Sequence, residues 1–202
     1  MTDPLEDAAA AALAGRPIVV PTDTVYGIGT RPDDPAATAA LFAAKGRPRD
    51  LELPVLVASR AEAERIAAFD DRAIALAGRF WPGALTIVVP RTNTSAAWDL
   101  GGDPRTIGVR VPHHSTALAL LARTGPLAMT SANRTGEPTP QTCEDLVSVF
   151  GDTVEVYLCE QEPLAGIAST VVDLTGDVAR VLRSGSVDVT SALAEVWRCG
   201  SR

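Results

Sequence analysis

The chain predicts a single α/β domain built on a mixed, twisted β-sheet flanked by helices, and three observations lead there. Short apolar runs of strand length first alternate with helical stretches, the pattern of an α/β architecture. Later, two apolar runs are separated only by Thr175-Gly176-Asp177, a hairpin signal that adds antiparallel pairing. No repeat, low-complexity tract or linker interrupts the 202 residues, so one domain is expected to occupy 1–202.

Taken in order, Glu6 to Ala14 reads as an Ala-rich helix stopped by Gly15, and Ile18 to Val20 as a buried strand closed by Pro21. Asp34-Pro35 starts a helix, with Asp as N-cap and Pro at the first helical position; it runs to Lys45 and stops at Gly46. Pro54 to Ala58 is an apolar strand, and Ser59 with Glu62 forms a capping box opening a helix to about Phe69. Asp71 to Phe80 is helical until Trp81-Pro82-Gly83 breaks it. Leu85 to Val89 and Ile107 to Val111 are strands on either side of a polar loop. Ser115 to Arg123 is a helix, and Leu127 to Thr130 is a buried strand leading into SANRTGEPTP. Thr142 caps a helix to Phe150, and Val154 to Leu158 is a strand. Ser169 to Leu174 and Val178 to Leu182 form the hairpin, and Ser191 to Arg198 is the last helix.

Composition narrows the function. With 46% hydrophobic residues but only 4% aromatic ones, the core must be built from Ala, Val, Leu and Ile. No stretch approaches the ~20 apolar residues of a membrane span. The acidic stretch from Met1 to Glu6 has no basic n-region, so a secretory signal is not expected and the N-x-S/T strings at Asn93 and Asn133 carry no glycan. Cys143, Cys159 and Cys199 are odd in number and widely spaced, which predicts reduced, core-filling thiols in a cytoplasmic protein. A net charge of −7 argues against a surface that holds nucleic acid, which needs a positive field to displace counterions. The cations gather in a few loops instead, as in a local anion site on an acidic body.

Seventeen of the eighteen basic residues are Arg, and the one Lys, Lys45, stands in KGRPRD. In so Arg-biased a chain, a solitary Lys suits a site that needs a compact ammonium rather than a guanidinium fork; the plain alternative is a cation at a helix C-terminus. No Walker A string, Rossmann fingerprint or G-x-S-x-G elbow occurs, and the adjacent His113 and His114 have no further His for a relay or a metal cluster. What remains are hydroxyl- and cation-bearing segments at strand and helix ends. PTDTVYG, residues 21–27, offers hydroxyls and a phenol; KGRP offers Lys45 and Arg47; Thr106 to Arg110 carries an Arg on an otherwise apolar strand. An Arg there requires a carboxylate or phosphate partner. Ser131-Ala132-Asn133, Ser169-Thr170 and Arg183-Ser184-Gly185 follow at further strand ends. Together they describe a pocket with two anion clamps and several hydroxyls, without a nucleophile or an obvious acid–base residue.

PTDTVYGIG, KGRP, VRVP, SANRTG, STVVD and LRSG, in this order from about Ile18 to Gly185, resemble the YrdC-like family, the L-threonylcarbamoyl-AMP synthases of tRNA modification. The resemblance implies an open sheet with a large concave cleft, in which L-threonine, bicarbonate and ATP become threonylcarbamoyl-AMP and pyrophosphate for modification at tRNA position 37. It implies that Thr24, Tyr26, Arg110, Ser131 and Ser169 bind threonine. It places Lys45, Arg47 and Arg183 on the ATP phosphates, the first two as catalytic groups, and Thr106, Asn133 and Gln141 on the nucleotide. Mg²⁺ is expected to accompany the triphosphate rather than sit in a protein cage, and a downstream tRNA threonylcarbamoyl transferase is the implied partner. Where relatives often show Asn-Pro and then His, this chain reads Leu51-Glu52 and Leu56, and Gln141 replaces a small hydroxyl residue. Two other readings exist: a non-catalytic RNA-binding module, which the acidic charge disfavours, and a carbamoyl-adenylating domain of another pathway, usually found in longer chains.

Overall fold

In the computed structural model, described for residues 3–162, 164 and 166–199 (backbone alone for 195–199), one nine-stranded sheet organises the chain. The elements are α1 (Pro4–Leu13), β1 (Ile18–Val20), β2 (Gly27–Thr30), α2 (Pro35–Lys45), β3 (Val55–Leu56), α3 (Arg60–Ile66), α4 (Asp71–Phe80), β4 (Leu85–Pro90), β5 (Thr106–Arg110), α5 (Ser115–Thr124), β6 (Leu127–Ser131), α6 (Cys143–Phe150), β7 (Val156–Tyr157), β8 (Thr170–Asp173), β9 (Arg180–Arg183) and α7 (Thr190–Cys199). The strand order is β7-β1-β2-β6-β3-β5-β4-β8-β9. Pairs β1/β7, β3/β5 and β4/β8 are parallel and the other five antiparallel, so the sheet is mixed as expected.

Local chemistry sets the helix ends. Asp34 Oδ1 accepts from the amides of Ala36 (2.8 Å) and Ala37, with Pro35 at the first helical position. At the other end Gly46 takes a left-handed φ of 59°, its amide donating to Ala43 O and the Arg47 amide to Phe42 O. That turn sends the chain straight back over the sheet and delivers Arg47 to the site. The capping box of α3 forms with a shift: Ser59 Oγ accepts from the Glu62 amide, while the Glu62 carboxylate accepts from Ala58 N–H. α3 stops at Ile66, short of the expected Phe69, because Ala67 turns extended and bridges to Arg91 beside β4.

Two apolar clusters cover the sheet, and both are mainly aliphatic. The larger joins Val19, Ile28, Leu41, Val55, Leu76, Leu85, Ile107 and Val109 with α2, α4 and α6; the smaller packs α1 and α5 through Ala8, Ala12, Ile18, Leu120, Leu121 and Leu127. Because β4 runs antiparallel to β5 and parallel to β8, the C-terminus of β5 lies beside the N-termini of β4 and β8. This topology brings Arg110 next to Thr86 and Ser169.

Two expectations need correction. Gly27 to Thr30, to which the sequence assigns no element, is the strand β2, paired with both β1 and β6. Its glycines are there because Met129 of β6 leans across them: a Cβ on Gly27 would lie 2.7 Å from Met129 Sδ, and one on Gly29 would lie 2.7 Å from Ala128 O. The second correction concerns the thiols. Cys143 and Cys159 are joined in a disulfide, with Cα atoms 5.6 Å apart, and Cys159 is exposed rather than core. The fold brings α6 against the segment after β7, a proximity that a separation of 16 residues does not reveal. The thiol-based argument for a reducing compartment is lost with it. The Cys199 side chain lies outside the described part.

Gly29→Ala is expected to cost about 1–3 kcal/mol in urea unfolding, the scale of overpacking against a rigid neighbour. Gly176→Ala, where a Cβ meets nothing within 4 Å, is the control and should cost well under 1 kcal/mol.

Candidate active site

A cleft of about 320 Å³ opens on the sheet face between the β1–β2 loop, the turn after α2, and strands β4, β5 and β8. Of the residues singled out in the sequence, Thr24, Arg47, Arg110, Ser131, Ser169 and Arg183 line it together. They come from six separate segments, which only the sheet topology assembles.

Arg110, at the end of β5, is 5% exposed. Each of its three guanidinium nitrogens donates once: Nε to Gly83 O (2.9 Å), Nη1 to Thr24 Oγ1 (3.0 Å) and Nη2 to Asp23 Oδ1 (2.6 Å). The carboxylate that a buried Arg requires is therefore Asp23, from inside PTDTVYG, and Asp23 also accepts from the His113 amide. Asp23 was not among the residues singled out, although the required partner was stated. Burial lowers the proton affinity of Arg110, Asp23 opposes this, and the Arg183 charge adds to the lowering. Thr22 braces the loop: its hydroxyl donates to Val25 O (2.6 Å) and lies 3.0 Å from Thr24 Oγ1.

Arg47 and Arg183 are held differently. Arg47 donates to the carbonyls of Leu51 (3.1 Å) and Glu52 (2.8 Å). Arg183 donates to Ser169 O and Ser169 Oγ, both at 2.9 Å. Ser169 Oγ shares a further hydrogen bond with Thr86 Oγ1 at 3.0 Å; Thr86 is a second cleft residue that the sequence reading missed. Neutral oxygens hold these two cations in place without cancelling their charge. Burial depresses the pKa of both, and Arg183 depresses that of Arg47 further, with Asp50 offsetting part. Cations crowded until their protonated forms are disfavoured are the electrostatic mark of an anion site.

Lys45 lies behind this surface. It is 2% exposed, and Nζ donates to Ser131 O and to Asn133 Oδ1 (3.2 Å). Asn133 Oδ1 also accepts from Ser131 Oγ (2.6 Å), its amide nitrogen donates to Arg134 O and Glu137 O, and the Thr135 amide donates to Lys45 O. Lys45 thus ties the end of α2 to the SANRTG loop. Desolvation brings its pKa down to about 8, with Arg47 adding to the shift. Neither Lys45 nor Asn133 lines the cleft in this structure.

The remaining residues singled out stand apart. Tyr26 is wholly buried, its hydroxyl accepting from the Glu160 amide (2.9 Å), so it anchors the segment after β7. Thr106 opens β5, two steps beyond Gly108 on the face that carries Arg110, with its hydroxyl on Asp103 O (3.2 Å). Gln141 is exposed before α6, with its amide against Gly166. Leu56, in place of a His, contributes an apolar wall.

Comparison with known proteins places this geometry. A sequence model of the Sua5/YciO/YrdC family, described as telomere recombination, matches residues 10–185. A Mycobacterium tuberculosis protein is 46% identical over 184 residues, 91% of this chain and 84% of its own length. A threonylcarbamoyl-AMP synthase of Pyrococcus abyssi is 37% identical over 86% of this chain, which spans only 51% of that relative. Among solved structures, P. abyssi Sua5 complexed with L-threonine superimposes with a TM-score of 0.85 at 32% identity, over 97% of this chain and 58% of that one. E. coli YciO superimposes with a TM-score of 0.84 at 27% identity, over 92% of this chain and 91% of that one. With the family model spanning residues 10–185 and a relative 46% identical over 91% of this chain, the chain belongs to the Sua5/YciO/YrdC family.

Proposed function

We propose that this chain is an L-threonylcarbamoyl-AMP synthase, a nucleotidyltransferase that forms threonylcarbamoyl-AMP and pyrophosphate from L-threonine, bicarbonate and ATP. The observation that carries the reading is the cleft itself: Arg47, Arg110 and Arg183 converge with the hydroxyls of Thr24, Thr86, Ser131 and Ser169, and among the described residues no Cys or His lines it. The threonine amine and bicarbonate give a carbamate and water. A carbamate oxygen then attacks the α-phosphorus, and pyrophosphate leaves with the electron pair of the broken P–O bond. The carbamate is already an anion, so this step needs alignment and charge neutralisation more than a strong base.

Arg110, with Thr24, Ser131 and Ser169, receives the threonine carboxylate and hydroxyl, while Arg47 and Arg183 meet the phosphates. Lys45 acts as a positioning residue, holding Ser131 and Asn133 rather than touching the nucleotide. Mg²⁺ arrives with the triphosphate as part of the substrate, held by phosphate oxygens and water. The product passes to a tRNA threonylcarbamoyl transferase in the cytoplasm. The net charge of −7 supports a transient encounter over tight binding of tRNA by this chain.

Pyrophosphate release in the presence of ATP, Mg²⁺, bicarbonate and single amino acids tests the reading. Threonine should support it, whereas 2-aminobutyrate and valine, which lack the hydroxyl, should fall by up to ~10⁴-fold in kcat/KM. Equal rates with valine refute the pocket assignment.

Arg110→Lys should raise the threonine KM at least tenfold more than the ATP KM, because the planar fork that spans Thr24, Asp23 and the ligand is lost. Equal effects on both substrates would assign Arg110 to the scaffold alone.

Lys45 carries a pH signature. Its folded pKa, about 8, lies below the unfolded value, so burying the ammonium costs stability fully below pH 8. The cost is relieved as pH rises from about 8 towards 10.5, where the folded chain releases the proton first. Unfolding titrations should therefore show the wild type gaining stability relative to Lys45→Met across that window. A constant difference would place the ammonium in a solvated site.

A further inference from the structure

At one corner of the cleft two buried polar atoms face each other without a hydrogen bond. Glu52 Oε1 and Arg91 Nη2 stand 3.6 Å apart, and neither has a hydrogen-bond partner. The rest of the Arg91 guanidinium is committed from behind. Nε donates to Thr106 O (2.6 Å), and Nη1 donates to Trp98 O (2.6 Å) and Ser95 O (3.3 Å). Arg91 is therefore a fixed cation with a 3% exposed side chain, and Glu52 keeps 18% exposure. On its other side Glu52 is covered by the turn at Gly102, where a Cβ would lie 2.8 Å from Glu52 Cβ. Glu52 itself lines the cleft. Oε1 is sealed against Arg91, and what exposure the side chain keeps lies in the lining of the cleft, where the carboxyl can accept from a ligand.

Position and charge say what it can receive. The Glu52 carbonyl accepts from Arg47 Nη2 (2.8 Å), so the residue adjoins one of the free cations. Through Arg91 it connects to the carbonyl of Thr106, at the opposite end of β5 from Arg110. Burial pushes the Glu52 carboxyl up to about 8, Arg91 opposes the shift, and whatever negative charge the carboxyl carries is already answered by that guanidinium. Phosphates are drawn to Arg47 and Arg183 and gain nothing from a carboxyl. The part of a nucleotide that suits this corner is neutral and carries hydrogen-bond donors.

We propose that Glu52 is a nucleotide-selecting residue of this cleft, its carboxyl receiving a hydrogen-bond donor from the nucleoside half of ATP, either a ribose hydroxyl or the exocyclic amine of the base. The inference rests on ATP as the substrate. A site built to receive a donor rejects the analogue that lacks it, because the buried acceptor is then left unpaired.

Calorimetric titration of the whole chain with ATP, 2′-deoxy-ATP, 3′-deoxy-ATP and inosine triphosphate, with Mg²⁺ and without threonine, tests this. One analogue should bind on the order of 10–100-fold more weakly than ATP, and its identity names the donor. Glu52→Gln keeps the acceptor oxygen and should keep that preference. Glu52→Met fills the same space without an acceptor and should bring the ratio within ~3-fold of unity, the residual scatter expected once the hydrogen bond is gone. The proposal is overturned if the wild type discriminates against none of the analogues, if Glu52→Met keeps the preference, or if Glu52→Gln loses it as Met does. ATP binding without threonine-dependent pyrophosphate release would strike the proposed reaction alone, since these titrations do not depend on turnover.

Discussion

A guanidinium can be buried in a sheet only when its nitrogens find acceptors and its charge finds a partner, since an uncompensated buried ion costs several kcal/mol. Arg110 meets both demands through three segments far apart in sequence: Gly83 after α4, Asp23 and Thr24 between β1 and β2, and its own strand β5. The arrangement makes the loop part of the core. PTDTVYG is pinned at Asp23 and Thr24 by Arg110, braced internally by Thr22, and held at Tyr26 by the Glu160 amide. One wall of the site is thus a hairpin loop fastened by side chains from elsewhere in the fold.

The same network explains how an acidic protein presents a positive cleft. Arg110 is neutralised by Asp23, whereas Arg47 and Arg183 are oriented by carbonyl and hydroxyl oxygens and retain their charge. Orientation and neutralisation are separated, and the free charge is left where an incoming polyanion can use it. Lys45 shows the complementary choice. A compact ammonium reaches Ser131 O and Asn133 Oδ1 at once, behind the surface, where a larger planar head would not fit the same point. The position is at once the last residue of a helix and a buried ammonium with two acceptors.

Around this centre the C-terminal half is fastened by longer-range ties. The Cys143–Cys159 disulfide joins the start of α6 to the segment that also meets Tyr26, and Gln141 packs against Gly166 on the way to Ser169. The loop that carries Asn133 and the strand entry that carries Ser169 are therefore not independent of the β1–β2 loop. Edge strand β9 supplies Arg183 from the outside of the sheet, with Val181 and Leu182 exposed beside it.

Much of the architecture was legible in residue order, because periodicity, caps and breakers are local. Asp34-Pro35 and Gly46 bounded α2, Ser59 opened α3, and Thr175-Gly176-Asp177 turned β8 into β9, each by chemistry contained within a few residues. The motifs likewise named most of the groups that line the cleft. Features that depend on a neighbour across the fold were not legible. Gly27 and Gly29 lack side chains because Met129 occupies their space, so β2 carries no strand signal of its own. The disulfide, the Asp23 partner of Arg110, the Thr86–Ser169 pair and the opposed Glu52 and Arg91 all join segments that only the strand order brings together. By itself the sequence determined most of the elements, the family they belong to and most of the cations and hydroxyls near the cleft. Tertiary structure decided which of those charges are neutralised and which stay free, because burial and partner geometry exist only once the sheet is assembled.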